Sequence, residues 1–181
     1  MHTVNTAKSV ERRTKSVNRG KDFEASLRKQ LEKVFDVTRI ADNTAGYMGG
    51  RNICDFIAYS FPHLYYLELK STKGNTLPFS NITDTQFSGL LEKERVLGVG
   101  AGYIIWFLEK DKTFFVSAGL ANTLRMGGAK SIHINALEEL SSQDMRCYEL
   151  EGTKKRVFFD YNIEKLEESL EEYVKYGKRN N

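Results

Sequence analysis

An aspartate, twelve residues, then Glu-x-Lys is the pattern in this 181-residue chain with the clearest chemical potential: Asp55, then Glu68-Leu69-Lys70. Residues 53–59 and 65–70 are rich in β-branched and aromatic side chains and flank Ser60-Phe61-Pro62-His63, so they predict a β-hairpin. A turn centred between Phe61 and Pro62 sets Asp55 directly across the ladder from Glu68. Opposed side chains have Cβ atoms roughly 4.5–5.5 Å apart. Two carboxylates at that separation repel unless one is protonated or a cation lies between them. A hard divalent cation such as Mg²⁺ suits such a pair, because it prefers carboxylate oxygens and keeps several of its waters. Lys70 lies two residues beyond Glu68 and therefore points to the same face, with Leu67 and Leu69 on the other. A cation, a water to activate and a lysine to balance charge gathering on a phosphate are the parts of phosphodiester hydrolysis. The plainer alternative is an exposed hairpin face carrying a Glu–Lys salt bridge.

Several elements must position this hairpin. Phe23, Leu27, Leu31 and Phe35 recur every four residues and predict an amphipathic helix over 20–35. Thr83-Asp84-Thr85-Gln86 has capping-box spacing and predicts a helix from there to about Leu97. Gly98, Gly100 and Gly102 then break the pattern. Residues 103–108 predict a buried strand, and 113–116 its neighbour. Ser117 can cap a short helix ending near Gly127-Gly128, and 131–134 is a short strand. Ile163, Leu166, Leu170 and Val174 mark a terminal amphipathic helix with a charged outer face. The order predicts one mixed α/β domain over residues 18–181.

Bulk properties narrow the classes. Apolar residues make up 40% of the chain, which excludes a disordered sequence. The longest apolar stretch, 101–108, is too short to span a bilayer, and the N-terminus lacks the apolar core of a signal peptide. Only two cysteines occur, Cys54 and Cys147, without a CxxC pair, which fits a reducing cytoplasm. The net charge is +3, but between Lys8 and Lys21 lie Lys8, Arg12, Arg13, Lys15, Arg19 and Lys21, opposed only by Glu11. Residues 1–17 are therefore expected to form a flexible basic arm, either solvated or touching DNA phosphates.

The Asp55, Glu68, Lys70 spacing resembles the PD-(D/E)xK nuclease superfamily, and the flanking residues resemble the RecU family of Holliday junction resolvases. Asn18-Arg19-Gly20-Lys21-Asp22-Phe23-Glu24 is similar to that family's N-terminal motif. Leu77-Pro78-Phe79-Ser80-Asn81-Ile82, followed by Gln86, is similar to its segment after the lysine, and Asp160-Tyr161 to a feature near its end. The resemblance implies a restriction-endonuclease-like fold, a mixed β-sheet flanked by helices. It implies a homodimer that binds four-way DNA junctions in recombination and repair and nicks opposing strands, using Mg²⁺ or Mn²⁺. It implies Asp55 and Glu68 as metal ligands, Lys70 as the catalytic lysine, Glu24 as a helix carboxylate beside the metal and Gln86 as a polar residue lining the site. Thirty residues separate Glu24 from Asp55, so the long basic stalk of cellular members looks shortened, as would suit a phage or prophage protein.

Each of the other candidates has a structural alternative. Glu24 can be a carboxylate favoured at a helix start, and Gln86 the capping partner of Thr83. Gly46, Gly49, Gly50 and Arg51 form a basic loop without a P-loop's GK[ST], so it is a DNA-backbone contact or a plain loop. Lys73, just past the catalytic lysine, is a further DNA-contact candidate, and Lys154, Lys155 and Arg156 are a phosphate contact or a solvated turn. His63 and His133 lack paired-ligand spacing, and Cys54 and Trp106 fit core positions. Residues 103–108 and their flanking helices are core or dimer interface. The rival functions are a restriction-type or general nuclease on the same fold and a DNA-binding module without activity.

Overall fold

The computed structural model describes residues 19–41 and 52–177. In chain order it contains α1 (Arg19–Leu31), β1 (Asp36–Arg39), β2 (Phe56–Ser60), β3 (His63–Thr72), β4 (Thr76–Pro78), α2 (Asp84–Glu94), β5 (Val99–Phe107), β6 (Lys112–Ser117), α3 (Ala118–Met126), β7 (Ser131–His133), α4 (Ile134–Leu140), β8 (Cys147–Glu149), β9 (Gly152–Lys154), β10 (Phe159–Tyr161) and α5 (Ile163–Tyr176). The basic arm, with Arg12, Arg13 and Lys15, and the loop with Gly46, Gly49, Gly50 and Arg51 lie outside the described residues.

Six strands form one mixed sheet in the order β1-β2-β3-β5-β6-β8. The predicted hairpin is β2–β3, with Ser60 paired to His63 and Phe56 to Leu67. Strand β3 also pairs in parallel with β5, Leu64 with Val99 through Thr72 with Phe107, and α2 makes the crossover between them. Long β3 thus ties the hairpin to the centre of the sheet. Helices cover both faces. On one, Phe23, Leu27 and Leu31 of α1 and Leu166, Leu170 and Tyr173 of α5 pack with Leu67, Leu69, Ile104 and Trp106. On the other, Leu90 of α2 and Leu120 of α3 pack with Tyr103, Ile105 and Phe107. This is the mixed α/β architecture that the restriction-endonuclease-like resemblance implies. Strand β5 is buried on both faces within its own chain, so residues 103–107 are core.

Local departures have physical causes. Helix α1 stops at Leu31, and Phe35 reaches the core from the following turn through its amide bond to the Leu31 carbonyl. Helix α2 ends at Glu94 in a tightened turn, with the Arg95 amide on the Glu92 carbonyl, and Gly98, at φ 76°, then turns the chain into β5. Gly100 and Gly102 sit inside β5 rather than ahead of it. A Cβ on Gly102 would lie 2.4 Å from the Val116 carbonyl oxygen, so glycine there permits strands and the Phe115 ring to approach closely. No helix among the described residues is long and apolar enough to cross a membrane.

Candidate active site

The alternation along β3 sends Leu67 and Leu69 into the α1/α5 core, leaving Glu68 and Lys70 on the face covered by α2. Glu68 is only 3% exposed, unusual for a glutamate and costly without partners. Its Oε1 accepts from Lys70 Nζ at 2.8 Å and from Gln86 Nε2. Its Oε2 meets no donor among the described residues. Gln86 Oε1 in turn accepts from Lys70 Nζ at 3.1 Å and from the Thr83 amide at 3.1 Å. The Gln86 amide donates back to Thr83 Oγ1, completing the capping box that opens α2. One Gln86 side chain thus both caps α2 and bonds Glu68 and Lys70.

Asp55 sits just ahead of β2, and the simple register does not reach it. Its backbone amide donates to the Leu67 carbonyl at 3.1 Å, one residue short of a strict pairing with Glu68. Its carboxylate Oδ2 instead accepts from the Leu69 amide at 2.8 Å, standing in for a strand carbonyl. The ladder ends because a side chain has taken over one of its bonds. The Asp55 carbonyl accepts from Ile40, which anchors the other side. The carboxylate still meets Glu68: burial foremost, then the Asp55 charge, raise the Glu68 carboxyl from 4.5 to about 7, against the opposing pull of Lys70. Neighbouring Cys54 is a buried core thiol, pushed up to about 12 chiefly by desolvation.

The two carboxylates and the oxygen left without a donor form a hard, anionic pocket that suits Mg²⁺ or Mn²⁺. Among the described residues no third His, Cys, Asp or Glu completes the cluster. Such a pair fits a cation that retains water ligands. The Glu24 carboxylate is held by Arg39 Nε at 2.6 Å, and the two line a hollow with Lys21 and Arg28. Arg39, absent from the sequence-level candidates, pairs with Phe56 at the edge of the hairpin. Its signal was hidden because β1 carries no apolar alternation.

Of the remaining DNA-contact candidates, Arg19 and Lys21 are exposed on the first turn of α1, and Lys73 is exposed in the turn after β3. Lys154 pairs with Asp111, and Lys155 lies 3.9 Å from Asp160. Arg125 and Lys130, also missed from sequence, flank a hollow of about 620 Å³ beside Pro78-Phe79-Ser80. His133 caps α4 through its ring nitrogen, and Trp106 is core, both structural as expected. Asp160-Tyr161 is structural too: the Tyr161 hydroxyl bonds Thr113, and its amide donates to Gln30.

No curated protein matches the chain. Among solved structures, one match is Hjc of Archaeoglobus fulgidus, a Holliday junction resolvase from an archaeal hyperthermophile. It is 22% identical with a TM-score of 0.42, over 55% of this chain and 78% of that one. A likeness that loose carries no weight for function. The pattern of the family described as Recombination protein U, RecU, matches residues 18–151, well over half of the chain and including Asp55, Glu68, Lys70 and Gln86. The chain therefore belongs to the RecU family, Holliday junction resolvases and hence endodeoxyribonucleases.

Proposed function

We propose that this chain resolves four-way DNA junctions by metal-dependent nicking at the Asp55–Glu68–Lys70 cluster, acting as a homodimer. The observation that carries the reading is the buried Glu68 carboxylate, with one oxygen unmet and a second carboxylate beside it. Two adjacent carboxylates repel when both are ionised and are complementary to a cation. Asp55 and Glu68 would hold Mg²⁺ or Mn²⁺, and the metal would supply a polarised water and neutralise charge on the phosphate.

The chain's own groups do the rest. The Leu69 amide fixes the Asp55 carboxylate, and Lys70 with Gln86 fixes that of Glu68. Lys70 carries three N–H donors, of which two meet Glu68 and Gln86. The third can meet a phosphate oxygen as negative charge gathers there. Its side chain is 17% exposed, against 4% for that of Glu68. Arg19, Lys21 and Lys73 lie on exposed backbone where they can contact the DNA backbone without reading sequence.

The test compares cleavage of a four-way junction and a linear duplex of the same sequence, each with Mg²⁺. Junction-selective nicking supports the reading. Equal cleavage of both leaves a general nuclease. Asp55→Asn should abolish nicking while junction binding persists, because a ligand charge is lost and the basic surface is not. Mg²⁺-dependent nicking retained by that variant would refute the site.

A further inference from the structure

Strand β5 turns one row of side chains, Ala101, Tyr103, Ile105 and Phe107, to the face that carries Glu68 and Lys70. The Tyr103 hydroxyl is the one polar side-chain atom in that row. It stands beside Glu68, because the two residues are Cα partners in the parallel ladder of β3 and β5. Partners on neighbouring strands share a face across a spacing of roughly 4.8 Å.

Two side-chain oxygens of this pair are buried and meet no partner among the described residues: Glu68 Oε2 and the Tyr103 hydroxyl. Tyr103 is fully buried. A hydroxyl left unbonded there is destabilising, and a phenylalanine such as Phe107 fills the same row without that cost. Burial foremost, then the Glu68 charge ahead of that of Glu94, raise the Tyr103 phenol against the pull of Arg125. The hydroxyl therefore keeps its proton and is a donor with the Glu68 carboxylate as the foremost charge upon it.

We infer that Tyr103 is a positioning residue for the cation site, holding the unmet Oε2 of Glu68 through one enclosed water. The inference rests on the metal-dependent reading proposed above. A buried water commonly joins polar groups that are too far apart to bond directly. This one accepts from the Tyr103 O–H and donates one of its own hydrogens to Oε2. Its second lone pair is left for a cation held by Asp55 and Glu68. Lys70 and Gln86 already fix Oε1, so Tyr103 steadies the other oxygen of the same carboxylate from the neighbouring strand. Groups behind a metal ligand set its direction, and losing one typically weakens metal affinity about 10–100-fold.

Calorimetric titration of the DNA-free chain with Mn²⁺ tests it, on wild type, Tyr103→Phe and Ile105→Val. Tyr103→Phe keeps the ring and removes only the hydroxyl. Ile105→Val trims a buried side chain two positions along the same row and leaves the hydroxyl in place, so it reports the effect of disturbed packing alone. Urea unfolding in chelator establishes that each variant is folded under the titration conditions. Tyr103→Phe should bind Mn²⁺ at least about tenfold more weakly than wild type, and Ile105→Val should match wild type. Equal affinity in wild type and Tyr103→Phe overturns the inference and leaves the proposed function standing. Equal weakening in both variants overturns it as well, because packing then suffices. A wild type that takes up no Mn²⁺ removes the cation site, and the proposed function and this inference fall together.

Discussion

Replacing Glu68 by glutamine should make the metal-free protein more stable at neutral pH, and the size of the gain follows from the site. Burial and the Asp55 charge raise the Glu68 carboxyl from 4.5 to about 7 in the folded protein. Between those values the folded state holds a proton that the unfolded chain has released. Stability is therefore complete below about pH 4.5 and falls as pH rises through 7. The difference between 4.5 and about 7, at about 1.4 kcal/mol per pH unit, gives a loss of about 3 kcal/mol by pH 8. The attraction to Lys70 is already inside that net difference. Glutamine keeps Oε1 as acceptor for Lys70 and Gln86, and its amide replaces an oxygen that meets no donor.

Urea unfolding in chelator across pH 4 to 8 reads this directly. Wild type should lose stability across the window, and Glu68→Gln should not share that part of the slope. The two should agree near pH 4 and separate by about 3 kcal/mol at pH 8. For a chain of this length that corresponds to roughly 6–12 °C in Tm. Mg²⁺ should recover stability for wild type and not for the variant. Parallel pH curves, or a variant less stable at pH 8, would show that the Glu68 charge is not held at a cost and would remove the argument for a cation site.

Thr83→Ala removes one arm of the capping box and should cost about 1 kcal/mol in urea unfolding. Because Gln86 also holds Glu68 and Lys70, nicking should fall by more than the stability loss accounts for; unchanged nicking in that variant would separate the cap from the site. Deleting residues 1–17 should lower junction affinity and flatten its salt dependence by about 0.9 in slope for each phosphate the arm neutralises, and an unchanged slope measured by titration would make the arm a bystander.

What could be read in the sequence follows how local its cause is. Helix α5 and the opening of α2 were legible because their determinants, the four-residue apolar spacing and Thr83 with Gln86, lie within a few neighbours. Strand β5 was legible only in part. Gly100 and Gly102 look like breakers alone, and only the Tyr65 and Phe115 rings packed over them, from distant strands, explain glycine inside a strand. Strand β1 and the short strand β8 carry no clear alternation, since their pairing is decided by partners far along the chain.

The proposed site shows the same division. The Asp, Glu, Lys spacing picked out three side chains that the fold brings together, but a strict ladder placed Asp55 one step from where it lies. The displacement comes from a single bond, the Leu69 amide to the Asp55 carboxylate, which no spacing rule contains. That bond matters chemically, because it spends one oxygen of Asp55 on the backbone. Glu68 is divided likewise, with Oε1 committed to Lys70 and Gln86 and Oε2 unmet. The Leu69 amide thus fixes the direction of Asp55, and Lys70 with Gln86 that of Glu68. A cation site built from only two protein ligands needs that rigidity, because water must supply the rest of its coordination. The glutamine that opens α2 is consequently as much part of the site as the carboxylates, since losing it would free the oxygen that orients Glu68.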